Sequence, residues 1–120
     1  GGALGIGVGD RILILEHAYY SVISPEGCAA ILWKDRAFAD RAAAALKISA
    51  KDLIEMKLAD EIVPEPEGGA HSDPDGMART LQSALCRHLN ELKEMDPAER
   101  LEARYAKFRA MGVFDEGVPG

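Results

Sequence analysis

The chain opens with a glycine-rich apolar stretch, in which residues 1–10 read GGALGIGVGD. Small residues alternate there with Leu4, Ile6 and Val8, a spacing that fits either a buried strand or a tightly packed helix. In both cases the glycines let another group approach the backbone closely, because they carry no side chain. We favour a short helix for this stretch.

The motif SPEG at residues 24–27 marks the start of the next helix. Ser24 can cap its free N–H groups, Pro25 suits its first position, and Glu26 complements the positive end of its dipole. Similar start signals recur further along the chain, at Ser49 with Asp52 as a capping box, at Asp73 and at Asp96.

Together these signals predict α/β structure leading into an all-helical tail. The predicted order is a helix within residues 1–9, strands at 11–15 and 19–23, helices from Ser24 through Trp33, over 35–46 and from Ser49 through Met56, a strand at Glu61–Val63, and two helices that begin at Asp73 and Asp96.

Apolar side chains follow helical spacing in both C-terminal helices. The first stripe comprises Met77, Leu81, Ala84, Leu85, His88, Leu89, Leu92 and Met95, and the second comprises Leu101, Tyr105, Phe108 and Met111. The basic residues of the last helix lie among acids and are expected on a solvated face: Arg100, Arg104, Lys107 and Arg109. The glycine-rich stretch after Met111 is expected to fray.

Composition excludes several classes of function. The chain has 14 Lys plus Arg against 20 Asp plus Glu, a net charge of −6, which argues against nucleic acid as the main partner. No apolar run approaches the roughly 20 residues of a membrane-spanning helix, so no membrane partner is expected. Cys28 and Cys86 are expected to be buried free thiols of a reduced, cytosolic protein. Because the chain opens on Gly1 rather than Met, we expect the C-terminal part of a longer protein.

Three sites in the chain are candidates for chemistry. If residues 1–9 form a helix, the backbone N–H groups of Gly1 and Gly2 at its start can hold an anion or an oxyanion; alternatively these glycines only permit close packing. Glu26 follows a strand at a helix start and could face a cleft, or it only stabilises the helix dipole. His71 lies in a glycine-rich loop, where it serves a site or is simply held by local hydrogen bonds.

The other two histidines are weaker candidates. His17 is expected in the turn between the first two strands, and His88 lies on the apolar side of a helix, where a core or partner-facing position is expected. The spacing of the three histidines is not that of metal ligands, so no metal site is predicted in this chain.

Three runs of sequence together resemble one family: GGALGIGVGD at residues 1–10, YYSVISPEGCAAILWK at 19–34 and EIVPEPEGGAHSDP at 61–74. The first run, the strands and SPEG resemble the crotonase superfamily, as does KLADEIVPEP at 57–66. Within that superfamily the three runs, in this order and spacing, resemble the carboxyltransferase α subunits of bacterial-type acetyl-coenzyme A carboxylase. The resemblance extends from Gly1 to about Met111.

The resemblance implies a crotonase-like (ClpP-type) fold and a transfer of the carboxyl group from carboxybiotin, on a biotin carboxyl carrier protein, to acetyl-CoA. The product would be malonyl-CoA, in the first committed step of fatty-acid synthesis. The N–H groups of Gly1 and Gly2 would hold the oxyanion of carboxybiotin. The implied partners are a zinc-bearing β subunit in an α2β2 assembly and biotin carboxylase, all in the cytoplasm.

The sequence is also compatible with other functions. An enoyl-CoA hydratase of the same superfamily would need a second carboxylate where this chain has Leu4, and an apolar side chain cannot transfer a proton. Glu26 is therefore interpreted as structural or substrate-orienting, and His71 is kept as a second candidate for substrate binding. Propionyl-CoA as the acceptor, or a non-catalytic helical fragment that binds a partner, also stays open.

We expect residues 1–66 to be the C-terminal part of a crotonase-like core, residues 67–112 to be a helical segment, and residues 113–120 to be a flexible tail.

Overall fold

The computed structural model describes residues 1–112 and shows mixed α/β structure, in agreement with the predicted class. The elements in chain order are α1 (Gly2–Gly7), β1 (Leu13–Leu15), α2 (Pro25–Trp33), α3 (Ala39–Leu46), α4 (Ala50–Glu55), β2 (Glu61–Val63), α5 (Pro74–Glu94) and α6 (Pro97–Arg109), with a 3₁₀ turn at Arg36–Phe38. The predicted tail at residues 113–120 lies outside the described residues.

The two strands form one parallel sheet, in which Leu13 pairs with Glu61 and Leu15 with Val63. The ladder continues beyond the strands, since the Asp60 N–H donates to the Ile12 carbonyl (2.8 Å) and the Glu16 N–H to the Val63 carbonyl (3.0 Å). Both strands therefore end at the same edge of the sheet, which brings the segments that follow them together.

The core lies on both faces of this sheet. Alternation along a strand sends Ile12 and Ile14 to one face and Leu13 and Leu15 to the other. The first face packs in a cluster of buried residues formed by Ile12, Ile14, Ala50, Leu53 and Ala59. The second face packs in a cluster formed by Val63, Met77 and Ala84, with Leu13, Leu15, Ala70 and Leu81 at its border. The sheet is thus held between α4 and α5.

The helix starts predicted from local chemistry are confirmed. The side chains of Ser24, Ser49, Asp73 and Asp96 each accept a hydrogen bond from a backbone N–H in the first turn of the helix that follows. Ser49 and Asp52 form the predicted capping box. The strand at Glu61–Val63 is confirmed with its predicted bounds.

Two predicted elements differ from the structure. The predicted strand at residues 19–23 is wrong: its only pairing is an isolated bridge between Tyr19 and Ser49, because no described strand lies alongside it. The predicted strand at residues 11–15 is real but shorter, and the predicted helix at 35–46 begins as the 3₁₀ turn.

The predicted burial of the two cysteines is wrong, and the apolar stripes of α5 and α6 are only partly buried. Cys28 is only half-buried and Cys86 is exposed, although both thiols are free. In α5 the buried residues are Met77, Ala84 and His88, whereas Leu85 and Leu89 are exposed because α5 contacts the sheet through a narrower face than its apolar stripe. In α6 the stripe residues Leu101, Tyr105 and Phe108 are exposed.

The prediction of a solvated basic face on α6 is wrong for three of its four residues, since only Arg109 is exposed. Lys107 is 17% exposed and bonds to Asp60, while Arg100 and Arg104 both face Asp10. Acidic residues far away in the sequence attract this face of α6, and local charge patterning could not reveal them. Between Gly1 and Gly112, no helix has the length and apolar character that crossing a membrane requires.

Candidate active site

The first turn of α1 exposes backbone N–H groups. Gly1 is the N-cap, no side chain caps the helix, and the Gly5 N–H donates to the Gly1 carbonyl (2.9 Å). The N–H groups of a helical first turn have no acceptor within the helix. A Cβ atom added at Gly1 or Gly2 would meet nothing within 4 Å, so the described residues leave this helix start open to a ligand.

The two predicted substrate-binding residues lie on other elements. Glu26 is exposed in the first turn of α2 and makes no side-chain hydrogen bond or ion pair to a described residue. His71 is exposed in the loop after β2, with its ring against Gly69. No hydrogen bond or ion pair within residues 1–112 joins either of them to Gly1 or Gly2.

Hydrogen bonds to the Glu65 and Glu16 carboxylates join the segments that follow the two strands. Glu65 accepts hydrogen bonds from the backbone N–H groups of His17 (2.5 Å) and Ala70 (2.9 Å), while Glu16 accepts one from the Glu65 N–H (3.1 Å). The His17 N–H, and then the Ala70 N–H, lower the pKa of the Glu65 carboxyl below its ordinary value. His17 lies in a turn after β1, as predicted, but the strand expected after that turn is absent.

The side chain of His88 is buried, as predicted for a core histidine, and joins α5 to the sheet. Its Nδ1 lies 3.0 Å from Arg11 Nη1, and its Nε2 lies 2.5 Å from Glu61 Oε2. A neutral ring with its proton on Nε2 satisfies both contacts. Arg87 also donates to Glu61 (2.6 Å), and the Arg87 and His88 hydrogen bonds lower the pKa of Glu61 to about 2.

A second charged cluster joins α6 to the residues flanking β1 and β2. Lys107 donates to the Asp60 carboxylate (2.7 Å) and to the Asp10 carbonyl (3.0 Å), and Asp60 also accepts from the Ile12 N–H (2.7 Å). Arg100 and Arg104 approach Asp10 at 3.9 and 3.7 Å. Within residues 1–112, no group of three or more His, Cys, Asp or Glu side chains could hold a metal ion.

Comparison with known proteins decides the family. The profile described as acetyl co-enzyme A carboxylase carboxyltransferase-like matches residues 1–112. The chain belongs to this family. The match includes α1, both strands and all five later helices.

Curated relatives agree with this family. The chain is 58% identical over 116 residues to the acetyl-coenzyme A carboxylase carboxyl transferase subunit alpha of Thermus thermophilus, covering 97% of this chain and 37% of that protein. It is 58% identical over 118 residues to the protein of the same name from Thermosynechococcus vestitus, covering 98% and 36%. The Synechocystis protein of that name is 57% identical over 116 residues, covering 97% and 36%. This chain thus spans little more than a third of the length of these relatives.

Sequence reasoning missed the two charged clusters of this family member. Asp10 and Asp60 carry no signal by themselves, because their partners in α6 are 47 or more residues away in the chain. The pattern around Glu61 predicts only a strand. The available signal was His88 itself, because a histidine on the apolar side of a helix needs a hydrogen-bond partner, and Glu61 is that partner.

Proposed function

We propose that this chain is part of a carboxyltransferase α subunit that moves the carboxyl group of carboxybiotin, carried on a biotin carboxyl carrier protein, to acetyl-CoA and so forms malonyl-CoA. The observation that supports this most strongly is the 58% identity, over 97% of the chain, to a relative that bears the name of this subunit. None of the relatives described above is named as a hydratase or isomerase, so no observation favours that alternative.

In this proposal Gly1 and Gly2 provide the oxyanion site. Their exposure and the open space around them fit an oxygen that gains negative charge, because backbone N–H groups at a helix start stabilise such charge. Carboxybiotin would supply an activated carboxyl group there. Glu26 and His71 are both exposed and stay proposed contributors to substrate binding.

The assembly is proposed from the subunit name of the relatives. The partners would be a β subunit carrying the zinc, in an α2β2 arrangement, together with the carrier protein and biotin carboxylase, in the cytoplasm. The crotonase-like fold, and the division of the chain into residues 1–66 and 67–112, are parts of the same proposal. The parallel pair of strands followed by helices is compatible with both.

The test is a carboxyltransferase assay of the complete α subunit assembled with its β subunit, using malonyl-CoA and biocytin. Gly2→Val is expected to lower kcat by roughly 10² or more, because the side chain blocks the approach to an oxyanion donor. Gly5→Val is the matched control, since Gly5 lies in the same helix and a Cβ there also meets nothing within 4 Å.

Equal turnover of the Gly2→Val and Gly5→Val enzymes would overturn the oxyanion role of Gly2. Absence of any carboxyl transfer from a correctly assembled parent enzyme would overturn the proposed reaction itself.

A further inference from the structure

The α1 helix has few attachments to the other described residues. It contains no buried residue, and its Leu4 and Ile6 side chains are 73% and 67% exposed. Ile6 lines an apolar cavity of about 240 Å³ that separates α1 from β1 and α4. Within residues 1–112, apolar packing therefore does little to fix the direction of α1.

Tyr20 bridges this gap. Its hydroxyl donates a hydrogen bond to the Ala3 carbonyl, the only side-chain hydrogen bond to the backbone of α1 among the described residues. The same hydroxyl abuts Gly7, where an added Cβ would lie 2.8 Å from the Tyr20 oxygen. Tyr20 thus contacts α1 at both ends of one helical turn.

Tyr20 is itself fixed to the core. Its ring packs against the cluster that contains Ile14 and Leu53, and its backbone N–H donates to the Ile48 carbonyl (3.1 Å). Ile48 directly precedes the Ser49 capping box of α4. Two hydrogen bonds of Tyr20 therefore connect the segment just before α4 with α1.

We propose that Tyr20 is a positioning residue, whose hydroxyl sets the direction in which α1 presents the N–H groups of Gly1 and Gly2. This inference rests on the proposed function, because it is that function which makes the direction of α1 matter. Tyr20 touches no reacting atom in this view. It acts through the carbonyl of Ala3 and through the contact with Gly7.

The first test is Tyr20→Phe in the complete carboxyltransferase, since this variant loses the hydroxyl and keeps the ring. Hydrogen exchange of the α1 amides at residues 5–8 should become faster, and exchange of the β2 amides should not change. Turnover should fall about tenfold with an unchanged KM for malonyl-CoA, because misdirected donors weaken transition-state binding rather than substrate binding. Tyr19→Phe is the matched control, because its neighbouring ring is 73% exposed and its hydroxyl makes no hydrogen bond to a described residue.

The second test is a double-mutant cycle. Gly7→Ala alone should also speed α1 exchange, since its methyl group pushes against the Tyr20 hydroxyl. In the Tyr20→Phe background the same change should have a smaller effect, because the hydroxyl that it strikes is gone. This cycle keeps the proposal testable if Tyr20→Phe alone reduces assembly.

Unchanged α1 exchange in Tyr20→Phe, or strict additivity in the cycle, would overturn the proposal. Faster exchange without loss of turnover would also overturn it. In that case the Gly2→Val enzyme tells whether the proposed oxyanion site fails too. If Gly2→Val is inactive, the proposed oxyanion site stands without Tyr20; if it is active, the proposed site fails as well.

Discussion

At the scale of single residues, Glu61 is held as a carboxylate by two donors from one turn of α5. Arg87 and His88 bring its pKa from the ordinary 4.5 to about 2. Since the folded form releases this proton more readily than the unfolded form, the contribution of Glu61 to the free energy of unfolding is fully present above pH 4.5 and is lost as the pH falls towards 2.

We therefore predict that Glu61→Gln destabilises the chain at neutral pH and that its deficit shrinks between about pH 5 and pH 2.5. Urea unfolding of the parent and variant at each pH measures this difference. Glu94→Gln is the control, because Glu94 is an exposed residue of α5, the helix that carries Arg87 and His88, and forms no ion pair among the described residues. A deficit of Glu61→Gln that stays constant over this range would contradict the assignment.

At the level of single elements, α6 packs its basic face against the protein and leaves apolar side chains exposed. Its basic side chains face Asp10 and Asp60, while Leu101 and Tyr105 are 54% and 61% exposed. Lys107 is the central contact, since it bonds to both the Asp60 carboxylate and the Asp10 carbonyl. Polar contacts thus join α6 to the residues around β1 and β2, while much of its apolar surface stays exposed.

We predict that Lys107→Gln makes the α6 amides exchange roughly fivefold faster, which corresponds to about 1 kcal/mol for a partly shielded ion pair. Added salt should act in the same direction on the parent chain. Arg109→Gln should leave exchange unchanged, because Arg109 is exposed and forms no ion pair among the described residues. Equal exchange in the two variants would show that apolar contacts hold α6 instead.

The elements also show what sequence could and could not predict. Helix starts at Ser24, Ser49, Asp73 and Asp96 were correct because caps act within a single turn. The strand at residues 19–23 was wrong because β-branched and aromatic residues form a strand only where a partner lies alongside. The attachment of α6 and the hydroxyl contact of Tyr20 depend on pairs distant in sequence, which local patterns do not encode.

At the scale of the whole molecule, the described fold is flat and open. Its extents are 47 × 45 × 23 Å and its radius of gyration is 17.4 Å, against about 14 Å for a compact chain of this length. Large apolar side chains such as Val22, Ile31 and Leu85 are exposed. The contacts fall into two groups: α2, the 3₁₀ turn and α3 pack with one another, while the sheet packs with α4 and α5.

This division predicts two separable unfolding events. Met77 is buried in the cluster between β2 and α5, so Met77→Ala should cost about 2–4 kcal/mol there and speed the exchange of the β2 and α5 amides. Trp33 lies in α2 against Phe38 and Arg41. The midpoint of its fluorescence change should stay at the same urea concentration in this variant.

The complementary variant is Ala42→Gly, at a fully buried position of α3. It should lower the stability measured by the Trp33 transition by about 1 kcal/mol and leave the exchange of the β2 amides unaltered. If either variant shifts both transitions equally, the two groups unfold as one cooperative unit.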